Sequence, residues 1–338
     1  MKSLFWKGLL GLCPLLLLTG CGKHTHMLRQ TDIAMGTVVQ QSIYSEDAKD
    51  KITDDIIKTI EWQERQVLSR RLDTAWVYQV NERAGSTMAV DAELYNLLEG
   101  CVEISKASQG KFDCTLGSVI ALWKIDEWAA GTGEREYTLP TEEEIKAALA
   151  HTGYQKLVLN GEQVTLPEGY VLDMGAVGKG YTLDVLLELL DNRESVTGAT
   201  ISLGGSILTY GSKPDHSPWY VGVVNPHDSN EQLGVLSLQG QWCVSTSGDY
   251  QRFVKVEGNA YHHIIDPSTG YPGESDVKSV TILSKSGFLS DALSTACFLL
   301  GSEEGMKLAR QYDAEALFVT YRGELVMTEG MQAVFREN

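Results

Sequence analysis

Residues 171–184 read VLDMGAVGKGYTLD. An apolar, strand-like run ends at Asp173, a glycine-rich turn carries Lys179, and a helical pattern begins at Gly178. Strand, glycines and helix N-terminus in that order make a natural anion site, because backbone N–H groups and the positive end of the helix dipole converge there. It is not a Walker A loop: two residues separate Gly175 from Gly178 where that loop has four, and Gly180 stands where Ser or Thr should follow the lysine. It is not a dinucleotide fingerprint either, since Gly175, Gly178 and Gly180 give G-x-x-G-x-G. By itself the segment also fits a glycine-rich turn with a solvated lysine.

On either side the texture differs. After Gly153, short β-type runs at 156–159, 170–172, 200–203, 219–224, 233–238, 279–283 and 316–320 are interrupted by helical patterns at 178–190, 290–300 and 303–312. Before it, Ile52, Ile56 and Ile60 mark one face of a helix within 47–67. A second helix spans 91–108, with Leu94, Leu97, Leu98, Cys101 and Ile104 inward and Gly110 as its stop. A third starts at Thr141, which forms a capping box with Glu144. Strands and helices do not alternate strictly, so the expected fold is α+β: one compact domain over 31–338, with room for two lobes, a mixed β-sheet and flanking helices.

The 338 residues are 43% hydrophobic and 22% charged, which excludes a disordered chain. Against 28 basic residues stand 45 acidic ones, a net charge of −17 that repels nucleic acid. An acidic protein that handles phosphate must supply cations locally, as a placed Lys or Arg or as a metal ion.

Lys2 and Lys7 precede an apolar run from Leu9 to Leu18, too short to span a bilayer. Residues 1–20 therefore read as a signal peptide. Leu18, Thr19, Gly20 and Cys21 resemble a bacterial lipobox, with Cys21 as the lipidated first residue and residues 21–30 as lipidated terminus and tether. The expected place of the chain is outside the cytoplasm, anchored to the membrane by lipid. Cys101, Cys114, Cys243 and Cys297 form no C-x-x-C pair; they read as buried free thiols, although three disulfide pairings stay open.

Two further stretches carry chemistry. In SDALSTACFLL (290–300), Asp291 and Thr295 lie one helical turn apart on one face, hard oxygen ligands of the kind Mg²⁺ takes; alternatively Asp291 caps the helix and Thr295 packs. In YHHIIDPSTGYPG (261–273), two histidines sit at a strand end beside a D-P-S-T-G turn, and alternation puts only one on the core side. An inward histidine with near-neutral pKa would serve as general base; the alternative is one solvated and one core histidine. H-E-x-x-H and G-x-S-x-G are absent.

Taken in order, these segments resemble the ApbE family of flavin transferases. The resemblance runs from about Ala34 to the C-terminus: Met35-Gly36-Thr37, GKFDCTLG at 110–117, DMGAVGKGYTLD, ISLGGS at 201–206, HHIIDPSTGYP and DALSTA. It implies an enzyme that binds FAD as substrate, splits its pyrophosphate with Mg²⁺, and transfers FMN to a Thr or Ser hydroxyl of a partner protein, releasing AMP. The acceptor it implies is a flavin-carrying subunit of a membrane redox complex. By the same resemblance Met35, Lys111, Phe112, Asp113, Asp173, Lys179 and Ile265 contact FAD. Ala176, through its carbonyl, holds Mg²⁺ with Asp291 and Thr295, and His263 is the base. Water in place of the hydroxyl would make the chain an FAD pyrophosphatase, and binding without turnover a flavin-binding lipoprotein. At 68–76, LSRRLDTAW departs from the family pattern, with Arg71 at about the place of an aromatic, so stacking on the isoalloxazine is not assigned there.

Overall fold

The computed structural model describes residues 24–129, 131 and 137–338. The leader and Cys21 lie outside the described residues. The first elements, β1 (His26–Ala34) and β2 (Thr37–Ser45), form a hairpin turning on Met35 and Gly36, both at positive φ (50° and 66°). That is the turn geometry whose twist matches the flanking strands. Residues 26–30, expected in the tether, belong to the fold: they pair with residues 41–45. Polar residues on β1 mask the alternation, and pairing along its whole length supplies the order.

Next come α1 (Ile52–Trp62), continued by a π-helical turn over Gln63–Leu68, then α2 (Trp76–Glu82), β3 (Thr87–Ala89), α3 (Ala92–Ala107), α4 (Gly117–Trp123), α5 (Ile125–Ala129), α6 (Glu142–Leu149), β4 (Val158–Asn160), β5 (Gln163–Thr165) and α7 (Gly178–Asp191). The chain continues through β6 (Val196–Leu203), β7 (Ser206–Gly211), β8 (Trp219–Val224), β9 (Gln232–Leu238), β10 (Trp242–Gly248), β11 (Phe253–Val256), β12 (Asn259–His262), β13 (Val277–Ser284), α8 (Gly287–Gln311), β14 (Glu315–Thr320), β15 (Leu325–Met327), α9 (Glu329–Val334) and β16 (Phe335–Glu337). The α+β class stands, but the ladders of the described residues are antiparallel rather than mixed. The central sheet has eight strands in the order β1-β2-β6-β7-β10-β13-β14-β15. Residues 170–172 form no strand; Val171 makes a single bridge to Leu116.

One face of the central sheet carries helices. Ile52, Ile56 and Ile60 of α1 are fully buried with Leu183, Leu186 and Leu190 of α7 against Val39, Ile43, Ala199 and Ile201, each such side chain contributing about 1.5–3 kcal/mol. Beside them, α8 and α3 close a second core over β13 and β14. The opposite face is covered by a three-stranded sheet, β16-β9-β8, through Trp219, Leu236, Leu238 and Phe335. A smaller core joins α4, α6 and the β11–β12 hairpin to Ile265.

Two features fix where α7 meets α8. An added Cβ at Gly180 would lie 2.1 Å from the Gly287 carbonyl oxygen, and one at Gly287 would lie 2.1 Å from that of Gly180. Only glycine at both positions allows this crossing. The Asp184 carboxylate of α7 accepts the Gly287 and Phe288 amides (2.6 and 2.8 Å) and the Ser286 hydroxyl (2.9 Å), capping the N-terminus of α8. α8 is one run bent at Gly301 (φ 83°), where two helices are expected from the sequence. It begins with Ser286 as N-cap, so Asp291 does not cap it and lies inside the helix.

Candidate active site

The strand-to-helix stretch 171–184, the start of α8, the 110–117 loop and the histidine turn converge on one cleft. Its inner part, about 1080 Å³ measured out to solvent, is lined by Lys111, Phe112, Asp113, Asp173, Ala176, Lys179, His263, Ile265, Asp291 and Thr295 among others. An outer part of about 1740 Å³ adds Met35, Glu64, Arg70 and Arg71, and shares Thr37, Asp126, Asp173, Lys179 and Arg252 with the inner one. Each site residue expected within the described chain therefore reaches one continuous cleft.

The expected anion site at the N-terminus of α7 is already filled from within. Gly180 donates its amide to Asp291 Oδ2 (2.9 Å), and Gly178 donates to the Met174 carbonyl (2.7 Å). The anion at this helix end is thus Asp291, which also stands 3.7 Å from Lys179 Nζ and accepts from the Ser206 hydroxyl at 3.3 Å. Thr295, one turn on, lies beside Ser247 (3.5 Å).

Asp173 ends its run by accepting the Gly175 amide (2.7 Å) and pairs with Arg70 Nε at 2.6 Å, both side chains largely buried. Lys111 Nζ donates to Asp266 at 2.6 Å. Burial works against ionisation of Asp266, and Lys111 and Ser268 more than offset it, holding that carboxyl below its usual range. Asp113 spends both oxygens on the protein, taking the Thr115 amide (2.8 Å) and hydroxyl (2.7 Å) and the Tyr154 amide (2.9 Å). Burial nonetheless raises its pKa. Asp113 shapes the 110–117 loop against Tyr154.

The two histidines part company. His262 is the core residue: its Nε2 shares a proton with the Gly273 carbonyl (3.0 Å), its Nδ1 accepts the Ile264 amide (3.3 Å), and its ring meets Phe298 edge-on. His263 faces the cleft. Its Nδ1 lies 3.2 Å from the Arg252 carbonyl; a carbonyl only accepts, so Nδ1 carries the proton and Nε2 keeps its lone pair. The near-neutral pKa expected of the base is not met: burial pulls His263 down to about 4, opposed by the Asp126 carboxylate. Asp126 in turn holds Arg252 Nη1 at 3.0 Å; burial would raise its pKa, and the charges of His263 and Arg252 outweigh it.

Arg70, Arg252, Asp126, Ser247 and the Gly204–Gly205 turn are cleft residues that sequence reasoning missed. Their partners lie far away in the chain, and only Arg70 and Arg71 stood inside a segment marked as departing from pattern. Each cation on the described wall stands beside a carboxylate: Lys111 with Asp266, Lys179 with Asp291, Arg70 with Asp173, Arg71 with Glu127 and Arg252 with Asp126. An incoming diphosphate would leave net negative charge in the cleft. The Asp291 carboxylate, the Thr295 hydroxyl and the Ala176 carbonyl are all oxygen donors, one of them charged. That set fits a hard divalent cation that completes its shell with water and phosphate oxygens. Among the described residues no group of three His, Cys, Asp or Glu forms a self-sufficient metal cage. Cys101, Cys114, Cys243 and Cys297 are buried free thiols, as expected.

An α+β scaffold with a deep cleft, a neutral histidine and an oxygen-donor pair beside a lysine defines a class: proteins equipped for group transfer on an anionic substrate. The profile of the ApbE family matches residues 35–318. The FAD:protein FMN transferase of Treponema pallidum (strain Nichols) is 31% identical over 94% of this chain and 92% of its own length. That of Vibrio cholerae serotype O1 is 29% identical over 92% of each. The crystal structure of the ApbE protein from Thermotoga maritima superimposes with a TM-score of 0.81 at 30% identity, covering 92% of this chain and 100% of that one. The chain belongs to the ApbE family.

Proposed function

We propose that this chain is an FAD:protein FMN transferase that requires Mg²⁺. FAD lies along the cleft between Met35 at the outer end and Lys111, Phe112, Asp113 and Ile265 at the inner end, with its diphosphate near Asp173 and Lys179. The observation that carries the reading is the charge balance described above. The wall holds no uncommitted cation, yet Asp291, Thr295 and Ala176 present oxygen atoms beside Lys179. Mg²⁺ held there would neutralise the diphosphate and polarise the phosphorus under attack.

The chain's own residues do the rest. His263 Nε2 takes the proton of an acceptor Thr or Ser hydroxyl; the hydroxyl oxygen bonds to the FMN phosphorus, the P–O bond to the AMP phosphate breaks, and AMP leaves with the bridging oxygen. Lys179 is placed to steady the charge that builds on the leaving phosphate. A hydroxyl on a protein surface reaches this lone pair only if the cleft is open on one side, and the outer cleft provides that opening. Water attacking in the same place would give the FAD pyrophosphatase reaction, and both reactions release AMP.

The same reading places the protein outside the cytoplasm, lipidated on Cys21, with its acceptor a flavin-carrying subunit of a membrane redox complex. The support is the run from Lys2 to Cys21, together with the fact that no helix of the described residues is long and apolar enough to cross a membrane. The test of the site is FAD binding followed by flavin fluorescence, with AMP release measured on adding Mg²⁺. Wild type should bind FAD and release AMP only with the metal. Asp291→Asn should bind FAD but release AMP at least 100-fold more slowly, and a variant as fast as wild type would remove Asp291 from the metal site.

A further inference from the structure

Ile33 and Val38 face each other across the β1–β2 hairpin, just outside its turn, and are 80% and 49% exposed. Their neighbours Ala34 and Val39 point the other way, into the core under the helices. On the face that Ile33 and Val38 share, the three-stranded sheet covers the central sheet as far as Tyr44 and Ile207 and leaves the hairpin tip bare. Thr37, between the turn and Val38, lines both parts of the cleft. The Val38 carbonyl accepts the amide of Gly204 at 3.2 Å, and the Gly204–Gly205 turn lines the inner cleft. The apolar pair is therefore the lip of the cleft.

We propose that this lip is the docking surface for the protein acceptor, a folded partner that presents an apolar contact beside the loop carrying its Thr or Ser hydroxyl. The inference rests on the transferase reading. A protein acceptor is too large to enter the cleft, so it must rest on the rim while one loop reaches His263. Elsewhere on that rim the prominent side chains are charged and paired, Arg71 with Glu127 and Arg252 with Asp126. Ile33 and Val38 instead offer a contiguous apolar contact of the kind that anchors interfaces. Met35, at φ 50°, holds this tip in place: its side chain is turned inward against α7, with its sulfur 3.7 Å from the Thr182 hydroxyl.

The test is steady-state transfer by the detergent-solubilised full chain at saturating FAD and Mg²⁺, varying the soluble domain of a flavin-carrying redox subunit as acceptor. Ile33→Asp and Val38→Ser should each raise the acceptor KM about tenfold or more, with kcat within about twofold of wild type and FAD affinity by flavin fluorescence unchanged. Tyr220→Ser, at an exposed position on β8 away from the lip, should leave the acceptor KM as it is. An unchanged acceptor KM in both hairpin variants overturns the docking assignment, even if self-association or vesicle binding changes. So does a loss of FAD affinity as large as the loss in transfer. Wild type that releases AMP but labels no acceptor overturns the transferase reading itself, a result seen before any variant is compared.

Discussion

Gly180→Ala is the sharpest single perturbation of the site that touches no substrate. The added methyl would sit 2.1 Å from the Gly287 carbonyl oxygen and 2.5 Å from Asp291 Cβ, where ordinary contact begins at 3.4 Å. The helices must therefore part by about 1.3 Å at their crossing, since neither listed neighbour is the end of a flexible side chain. Overpacking of this kind costs about 1–3 kcal/mol, which lowers the melting temperature by roughly 3–10 °C. The same displacement moves Asp291, whose Oδ2 accepts the Gly180 amide, and a shift of about 1 Å at a reacting centre costs on the order of 100-fold in rate. Transfer should thus fall far more than stability explains. Gly178→Ala is the stability control: its methyl would meet Leu68 and Met35 at 3.6 and 3.8 Å, and Ala in place of Gly in a helix favours folding by about 0.5–1 kcal/mol. Thermal melting and AMP release on both variants decide it. A Gly180→Ala protein that melts and turns over like wild type would refute the close-crossing account.

The His263 pKa of about 4 lies below the unfolded value of 6.5, so the unfolded chain binds the extra proton. The stability this residue confers is present above pH 6.5 and is lost as the pH falls toward 4. Melting curves over that window should show His263→Gln flattening the acid slope, and an unaltered slope would contradict the burial of a neutral ring. Asp184→Ala strips the cap from α8 and should cost about 1–2 kcal/mol by denaturant unfolding; no change in the midpoint would show that the Ser286 cap suffices. Arg70→Met leaves the Asp173 carboxylate without its ion-pair partner and should weaken FAD binding measured by flavin fluorescence while also lowering stability. Retained affinity would make that pair irrelevant to the substrate.

What could be read from the chain alone followed from local physics. Ile52, Ile56 and Ile60 announced α1, and the Thr141–Glu144 capping box forms with both reciprocal bonds in place. The α7 register came from the same kind of pattern. The site was legible residue by residue because its members cluster in short stretches, but their arrangement was not. Nothing local shows that Asp291 would occupy the helix end that seemed ready for phosphate, since that needs the α7–α8 crossing set by Gly180 and Gly287. The histidine pair divided as alternation requires, yet the general base proved to be the one turned away from the core. Strand β1 was hidden because Arg29, Gln30, Thr31 and Asp32 interrupt its apolar pattern, and its order comes from pairing with β2. Arg70 met Asp173 across a separation that no periodicity encodes.

The central claim is that this cleft moves FMN from FAD to a protein hydroxyl. The most direct measurement is the intact mass of an acceptor domain after incubation with the full chain, FAD and Mg²⁺, with AMP measured in the same reaction. The account predicts a mass gain of one FMN phosphoester matched by one AMP, abolished by EDTA and by Asp291→Asn. AMP without any mass gain, or FAD left intact in the presence of metal and acceptor, would contradict it.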